Sequence, residues 1–204
     1  MPLIMACRNE NESIFITLID NGASIDKEDK NGNTPLIISC EKGNEMMGVR
    51  LIEKGANVNK ENADGNTPLI IACEHGNEFM GICLIEKGAN VNKVNQDGDT
   101  PLLIACKKGY ENMVNLLVEN NANVNQGNDK KGISPLSYAC YLGNENIVKC
   151  LIEKGADINK ENTDTDGDTP LIIACKNNNE SVFSILVRSN ANVDKADKNV
   201  NTPL

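Results

Sequence analysis

Residues 66–98 read NTPLIIACEHGNEFMGICLIEKGANVNKVNQDG, and the local chemistry of this stretch decides how the chain folds. Thr67 carries an oxygen able to cap a helix, and Pro68 suits the first helical position, where the backbone N–H has no intrahelical acceptor. A short helix is therefore predicted from there to Gly76, a residue free to adopt the left-handed turn that ends helices. Asn77 offers a second capping oxygen, and Phe79, Met80, Ile82, Cys83, Leu84 and Ile85 supply the apolar side chains of a second helix that Gly88 stops. Residues 89–98 are rich in Asn, Asp and Gly, so the chain is predicted to turn sharply there and project as a hairpin-like finger.

Outward from this stretch the pattern recurs. Every proline lies on one ladder, at 2, 35, 68, 101, 135, 170 and 203, with spacings of 33, 33, 33, 34, 35 and 33 residues. The cysteines obey the same period: Cys7, Cys40, Cys73, Cys106, Cys140 and Cys175 follow a proline by five residues, and Cys83 and Cys150 follow one by fifteen. Helical hairpins are predicted to begin near 2, 34, 67, 100, 134 and 169, forming one array over 1–204. At 202–204 the sequence Thr-Pro-Leu reads as the start of a further, truncated repeat, which suggests an excerpt of a longer array or a missing polar cap. With aromatic residues at 3% and no Trp, the core is expected to be built from small, repetitive packing rather than large rings.

The T-P-L segments near each first helix, with L-I-E-K-G-A-N-V-N after the second, resemble the ankyrin repeat, six times over and across almost the whole chain. The resemblance implies an all-α solenoid of stacked helix-turn-helix units with protruding fingers, each hairpin touching only its neighbours, and a concave groove lined by first helices and fingers. One departure is consistent. The His usual after T-P-L is replaced by Ile37, Ile70, Leu103, Ser137 and Ile172, so apolar packing is expected where the family has a hydrogen-bonding link.

Composition narrows the function. A net charge of −9 opposes binding to nucleic acid, which needs clustered Lys and Arg, and no apolar run is long enough to cross a bilayer. The eight cysteines read as reduced, buried fillers, because stacked helices lie roughly 8–10 Å apart and a disulfide needs Cα atoms within about 7 Å. A reducing, cytoplasmic setting follows, in which the acceptor-like Asn11-Glu12-Ser13 and Asn179-Glu180-Ser181 go unglycosylated. No C-x-x-C pair accompanies the single histidine, so no metal or cofactor site is expected. Residues 162–167 open like a calcium loop, but the position that needs a bidentate Glu is Ile173, and the segment reads as an acidic finger with two inserted residues. Cys73 and His75 are two apart on one helix and so do not face each other, and no catalytic constellation is found.

Partner-facing positions implied by the resemblance are the finger tips and the two residues after the small pair on each first helix. Five of the six pairs are polar, among them Glu74 with His75 and Lys107 with Lys108; the fifth repeat offers Tyr141 and Leu142. The same repeat carries Tyr138 where others have Ile or Met, and Ile133 where other fingers carry Asn or Asp. With Tyr110, all three tyrosines of the chain fall beside Lys107 and Lys108. Tyrosine brings rigid area and a hydroxyl to an interface at small entropic cost, so this patch is the expected principal contact, against the plainer reading of Tyr138 and Tyr141 as inter-repeat packing. The function expected is a non-catalytic module that binds a protein partner as a monomer. The alternative is a structural spacer or an array that self-associates end to end.

Overall fold

The computed structural model describes residues 2–128, 130, 132–163 and 166–203. Their secondary structure is helical, with a single isolated antiparallel bridge between Asn128 and Ile133. The chain divides into two compact units, Met1–Gln96 and Asp97–Leu204. In the first, three helical hairpins pair α1 (Pro2–Arg8) with α2 (Glu12–Asp20), α3 (Pro35–Lys42) with α4 (Glu45–Glu53), and α5 (Pro68–His75) with α6 (Glu78–Glu86). In the second, α7 (Pro101–Lys108) pairs with α8 (Glu111–Glu119), α9 (Pro135–Leu142) with α10 (Glu145–Glu153), and α11 (Pro170–Lys176) with α12 (Glu180–Arg188). Within each unit the odd-numbered helices stack on one another in sequence order.

Helix ends follow from single side chains. The hydroxyl oxygens of Thr34, Thr67, Thr100, Ser134 and Thr169 accept the backbone N–H three residues on, and proline occupies the first turn. Gly43, Gly76, Gly109 and Gly143 then end these helices in the left-handed conformation. The first and sixth repeats lack that glycine, and the positive φ falls on Glu10 and Asn178. Asn11, Asn44, Asn77 and Asn144 cap the second helices in the same manner.

The core lies between the stacked odd helices and the inner faces of the even ones. Leu36, Ile37, Leu69, Ile70, Leu102 and Leu103 are essentially inaccessible, each contributing about 1.5–3 kcal/mol of transfer free energy. Ile37, Ile70, Leu103 and Ile172 thus replace the family's histidine by burial, whereas Ser137 is buried and hydrogen-bonded. Cys7, Cys40, Cys73, Cys106 and Cys140 are buried as expected, and all eight cysteines are free thiols. Cys83, Cys150 and Cys175 are only half-buried, which corrects the uniform reading. The first two lie on even-numbered helices, and the Cys175 Sγ donates to the Pro203 carbonyl at 3.5 Å.

Fingers are tied to fingers. Three of them close on themselves through an Asx turn: Asn62 Oδ1 accepts from the backbone N–H of Asp64 and Asn66, and Asp29 and Asp197 do the same. Asparagine amides then cross between neighbours, Asn62 to Asn33 and Asn95 to Asn66, each at 2.9 Å, with Asn128 to Asp99 as the next rung. The extra residues stand where the sequence placed them: the finger closed by Asn128 and Ile133 spans one residue more than that closed by Asn62 and Asn66, and the finger closed by Asn162 and Asp168 spans two more.

Candidate functional site

Beyond Asp99 the finger ladder changes chemistry. Ile133 occupies the rung that Asn33, Asn66 and Asp99 fill elsewhere, so the acceptor for the next asparagine is missing. Ser137, standing where other repeats have Ile or Leu, engages the other end of that amide, donating its hydroxyl to Asn162 Oδ1 at 2.8 Å. Two substitutions in one repeat thus exchange a polar rung for an apolar side chain while the buried amide keeps a partner.

An apolar cavity of about 390 Å³ lies beside these two residues, between α9 and α11. Ile133, Tyr138, Tyr141 and Ile173 form its apolar lining, and Asn162, Asp168, Lys176 and Asn177 contribute the polar part. Tyr138 and Tyr141 are three apart on α9 and therefore share a face. Tyr138 is half-buried, whereas Tyr141 is 62% and Leu142 46% exposed. Lys176 is engaged by its neighbours: its ammonium donates to both oxygens of Asp168, at 2.7 and 2.9 Å, and to Asp197 at 3.5 Å. The hydrogen bond to Asp168 holds the Lys176 ammonium above the ordinary lysine range, and the Asn201 amide holds the Asp197 carboxylate below its own.

Lys107 and Lys108 end α7 as exposed side chains, well placed against the negative end of the helix dipole. Tyr110, 37% exposed, sits at the cap position of α8, where four other second helices carry a capping Asn, and it supplies no side-chain cap. Leu142 reaches toward this turn: a Cβ built on Gly109 would lie 3.8 Å from Leu142 Cδ1. Lys107, Lys108, Tyr110, Ile133, Tyr138, Tyr141 and Leu142 accordingly all lie on α7, α9 or the adjoining turns of the second unit.

Glu74 and His75 belong to the first unit, at the end of α5. His75 Nδ1–H donates to the Ile71 carbonyl at 3.0 Å, and the ring borders an open hollow with Glu41, Glu45, Glu78 and Phe79. Asn162, Asp168 and Ile173 line the α9–α11 cavity although the sequence marked Asn162 and Ile173 only as positions of an incomplete calcium loop, and Lys176 and Asn177 join them as one of the five polar pairs. The signal that could have found them is the period: they stand one repeat after the unusual residues of the fifth. Asn11 and Asn179 are engaged within the fold, the first as the cap of α2 and the second by an amide donated to the Cys140 carbonyl. The calcium-like stretch includes residues 164 and 165, which lie outside the described residues. Among the described residues no cluster of three His, Cys, Asp or Glu side chains is placed to hold a metal ion, and no helix is long and apolar enough to cross a membrane.

Capped helical hairpins joined by cross-tied fingers define a repeat protein of the ankyrin class, and sequence comparison agrees. Ankyrin repeats in three copies match residues 3–95 and 80–162, and an ankyrin repeat matches 166–198. The chain belongs to the ankyrin repeat family. Among solved structures it is similar to the ankyrin repeat domain of Bcl-3, described as a unique member of the IkappaB protein family, with a TM-score of 0.86 and 25% identity over 100% of this chain and 92% of that one. It is also similar to the human ASB11 ankyrin repeat domain, with a TM-score of 0.85 and 27% identity over 100% of this chain and 90% of that one. No curated protein matches its sequence. Ankyrin repeat domains are in general protein–protein interaction modules.

Proposed function

We propose that this chain is a non-catalytic module, one array over 1–204, that binds a protein partner through the first-helix face and fingers of its second unit. The observation that supports it is where the sequence leaves its own consensus. Tyr110 gives up a helix cap, and Ile133 gives up a ladder rung that Ser137 replaces by another route. Both leave aromatic or aliphatic surface around Tyr141 and Leu142, the most exposed apolar pair of α9. Repeats that served stacking alone have no reason to deviate at these positions. Eight free thiols support a reducing, cytoplasmic setting for the encounter.

Affinity capture from native cell lysate tests this reading, comparing the chain with a Tyr138→Ala, Tyr141→Ala, Leu142→Ser version shown by circular dichroism to be folded. Loss of a specifically retained protein on substitution is the expected result. Retention of the same proteins by both versions removes the surface from consideration, and retention of nothing specific by either favours the structural-array alternative.

A further inference from the structure

Three first helices end in a cation at the same place, and the contrast among them is informative. Arg8 is paired with Asp29 of the following finger, and Lys176 with Asp168 and Asp197. Lys107 is the equivalent residue of the fourth repeat, and Lys108 follows it. The finger after that repeat presents neutral Asn128 where the others present Asp29 and Asp197, and the Asn128 amide also occupies the Asp99 carboxylate. Among the described residues neither Lys107 nor Lys108 has a carboxylate partner. Two ammonium groups with no carboxylate partner among the described residues thus stand at consecutive positions at the end of α7, on a chain of net charge −9.

One helix spacing away lies the α9–α11 cavity. Its polar side chains are occupied with one another, Ser137 with Asn162 and Lys176 with Asp168, so what remains on offer is the apolar wall of Ile133, Tyr138, Tyr141 and Ile173. A volume of about 390 Å³ falls in the range of built ligand sites and suits one bulky side chain. Stacked helices are roughly 8–10 Å apart, and an extended chain advances roughly 3.3 Å per residue. A strand laid across α7, α9 and α11 therefore meets the lysines and the cavity with residues about three or four apart. At physiological salt the Debye length is about 8 Å, so the local lysine pair rather than the distant net charge decides what is accepted at this end.

Building on the proposed binding function, we propose that the partner presents an extended acidic peptide. One bulky aliphatic or aromatic side chain enters the α9–α11 cavity, and a carboxylate about three or four residues away pairs with Lys107 and Lys108. The spacing follows from the distance between stacked helices.

The experiment is selection from a library of random twelve-residue displayed peptides on the folded, full chain, repeated on Lys107→Glu/Lys108→Glu and on Tyr138→Ala/Tyr141→Ala. The parent should enrich peptides pairing Asp or Glu with a large apolar residue about three or four positions away. Synthetic peptides from that pool should lose roughly tenfold or more in affinity on charge reversal, the size expected for a charge-assisted contact, and should weaken with added salt. The reversed variant should enrich Lys- or Arg-containing peptides instead, a gain that misfolding cannot produce. Parent peptides with no acidic bias, or an acidic bias that survives charge reversal, overturn the inference while leaving the binding reading intact if the tyrosine variant loses them. Enrichment unaffected by either variant overturns both. Association of the chain with itself at this face, seen as concentration-dependent sedimentation abolished by Tyr141→Ala, overturns the peptide inference in favour of a second copy.

Discussion

Tyr110 stands where Asn11, Asn44, Asn77 and Asn144 cap their helices, and nothing in its side chain replaces the lost hydrogen bond. Installing the cap with Tyr110→Asn is expected to stabilise the chain by about 1 kcal/mol, raising its melting temperature by roughly 2–4 °C, as thermal unfolding would show. The same substitution should weaken partner binding, an opposition between stability and function that a purely structural tyrosine does not produce. Glu10 provides the control at a site with no proposed role. It holds φ at 52°, in the conformation that glycine adopts at the equivalent Gly43. Glu10→Gly should therefore stabilise by about 1 kcal/mol and leave binding unchanged. The oddity of Tyr110 was visible in the sequence as one of three clustered tyrosines; its cost was not, because a missing cap is seen only against the capping geometry of the other repeats.

At the scale of the helices and fingers, the proline ladder made the fold legible. The chain needs N-terminal helix signals at regular intervals, and each Thr-Pro or Ser-Pro pair from the second repeat on supplies one where α3, α5, α7, α9 and α11 begin. The candidate site was only half legible. Ile133, Tyr138 and Tyr141 differ from their counterparts and so stood out, whereas Ile173 is ordinary in its own repeat and belongs to the site only because α11 packs against α9. Ser137 read as the loss of a family hydrogen bond, although its hydroxyl now serves Asn162, a partner that becomes visible only once the finger is folded over α9. That contact has a measurable consequence. Ser137→Ala leaves the buried Asn162 oxygen without its donor and should destabilise the chain by about 1–3 kcal/mol in denaturant unfolding, far more than Ser→Ala at an exposed position.

For the molecule as a whole, charge and thiol chemistry set the conditions under which it holds together. Burial tends to raise the Asp29 carboxyl, but hydrogen bonds from the Asn33 and Asn31 backbones, the Asn33 amide and the charge of Arg8 outweigh it and hold the group below the ordinary carboxylate range; the Asn201 amide leads the same effect at Asp197. A folded-state value that is depressed means stability present above the ordinary carboxylate value of 3.8 and lost as pH falls through and below it. Burial raises Cys7 to about 11 and Cys40 to about 12, so their contribution is intact below the ordinary thiol value of 9.0 and is lost as pH rises toward those values. Melting temperature against pH should accordingly show a plateau bounded by a carboxylate edge near 4 and a thiol edge above 9. Under native conditions iodoacetamide should reach the half-buried Cys83, Cys150 and Cys175 and spare the five buried thiols, as intact mass would show; labelling of all eight at once would mean that the hairpins open together. The central claim, that this array is a binding module whose contact surface is the α7–α9–α11 face, is tested most directly by placing a photo-reactive phenylalanine at Leu142 and, in a separate version, at Glu86 on α6, then irradiating in native lysate. A discrete protein adduct from position 142 and none from position 86 is the expected result; the same adducts from both positions, or none from 142, would contradict the account.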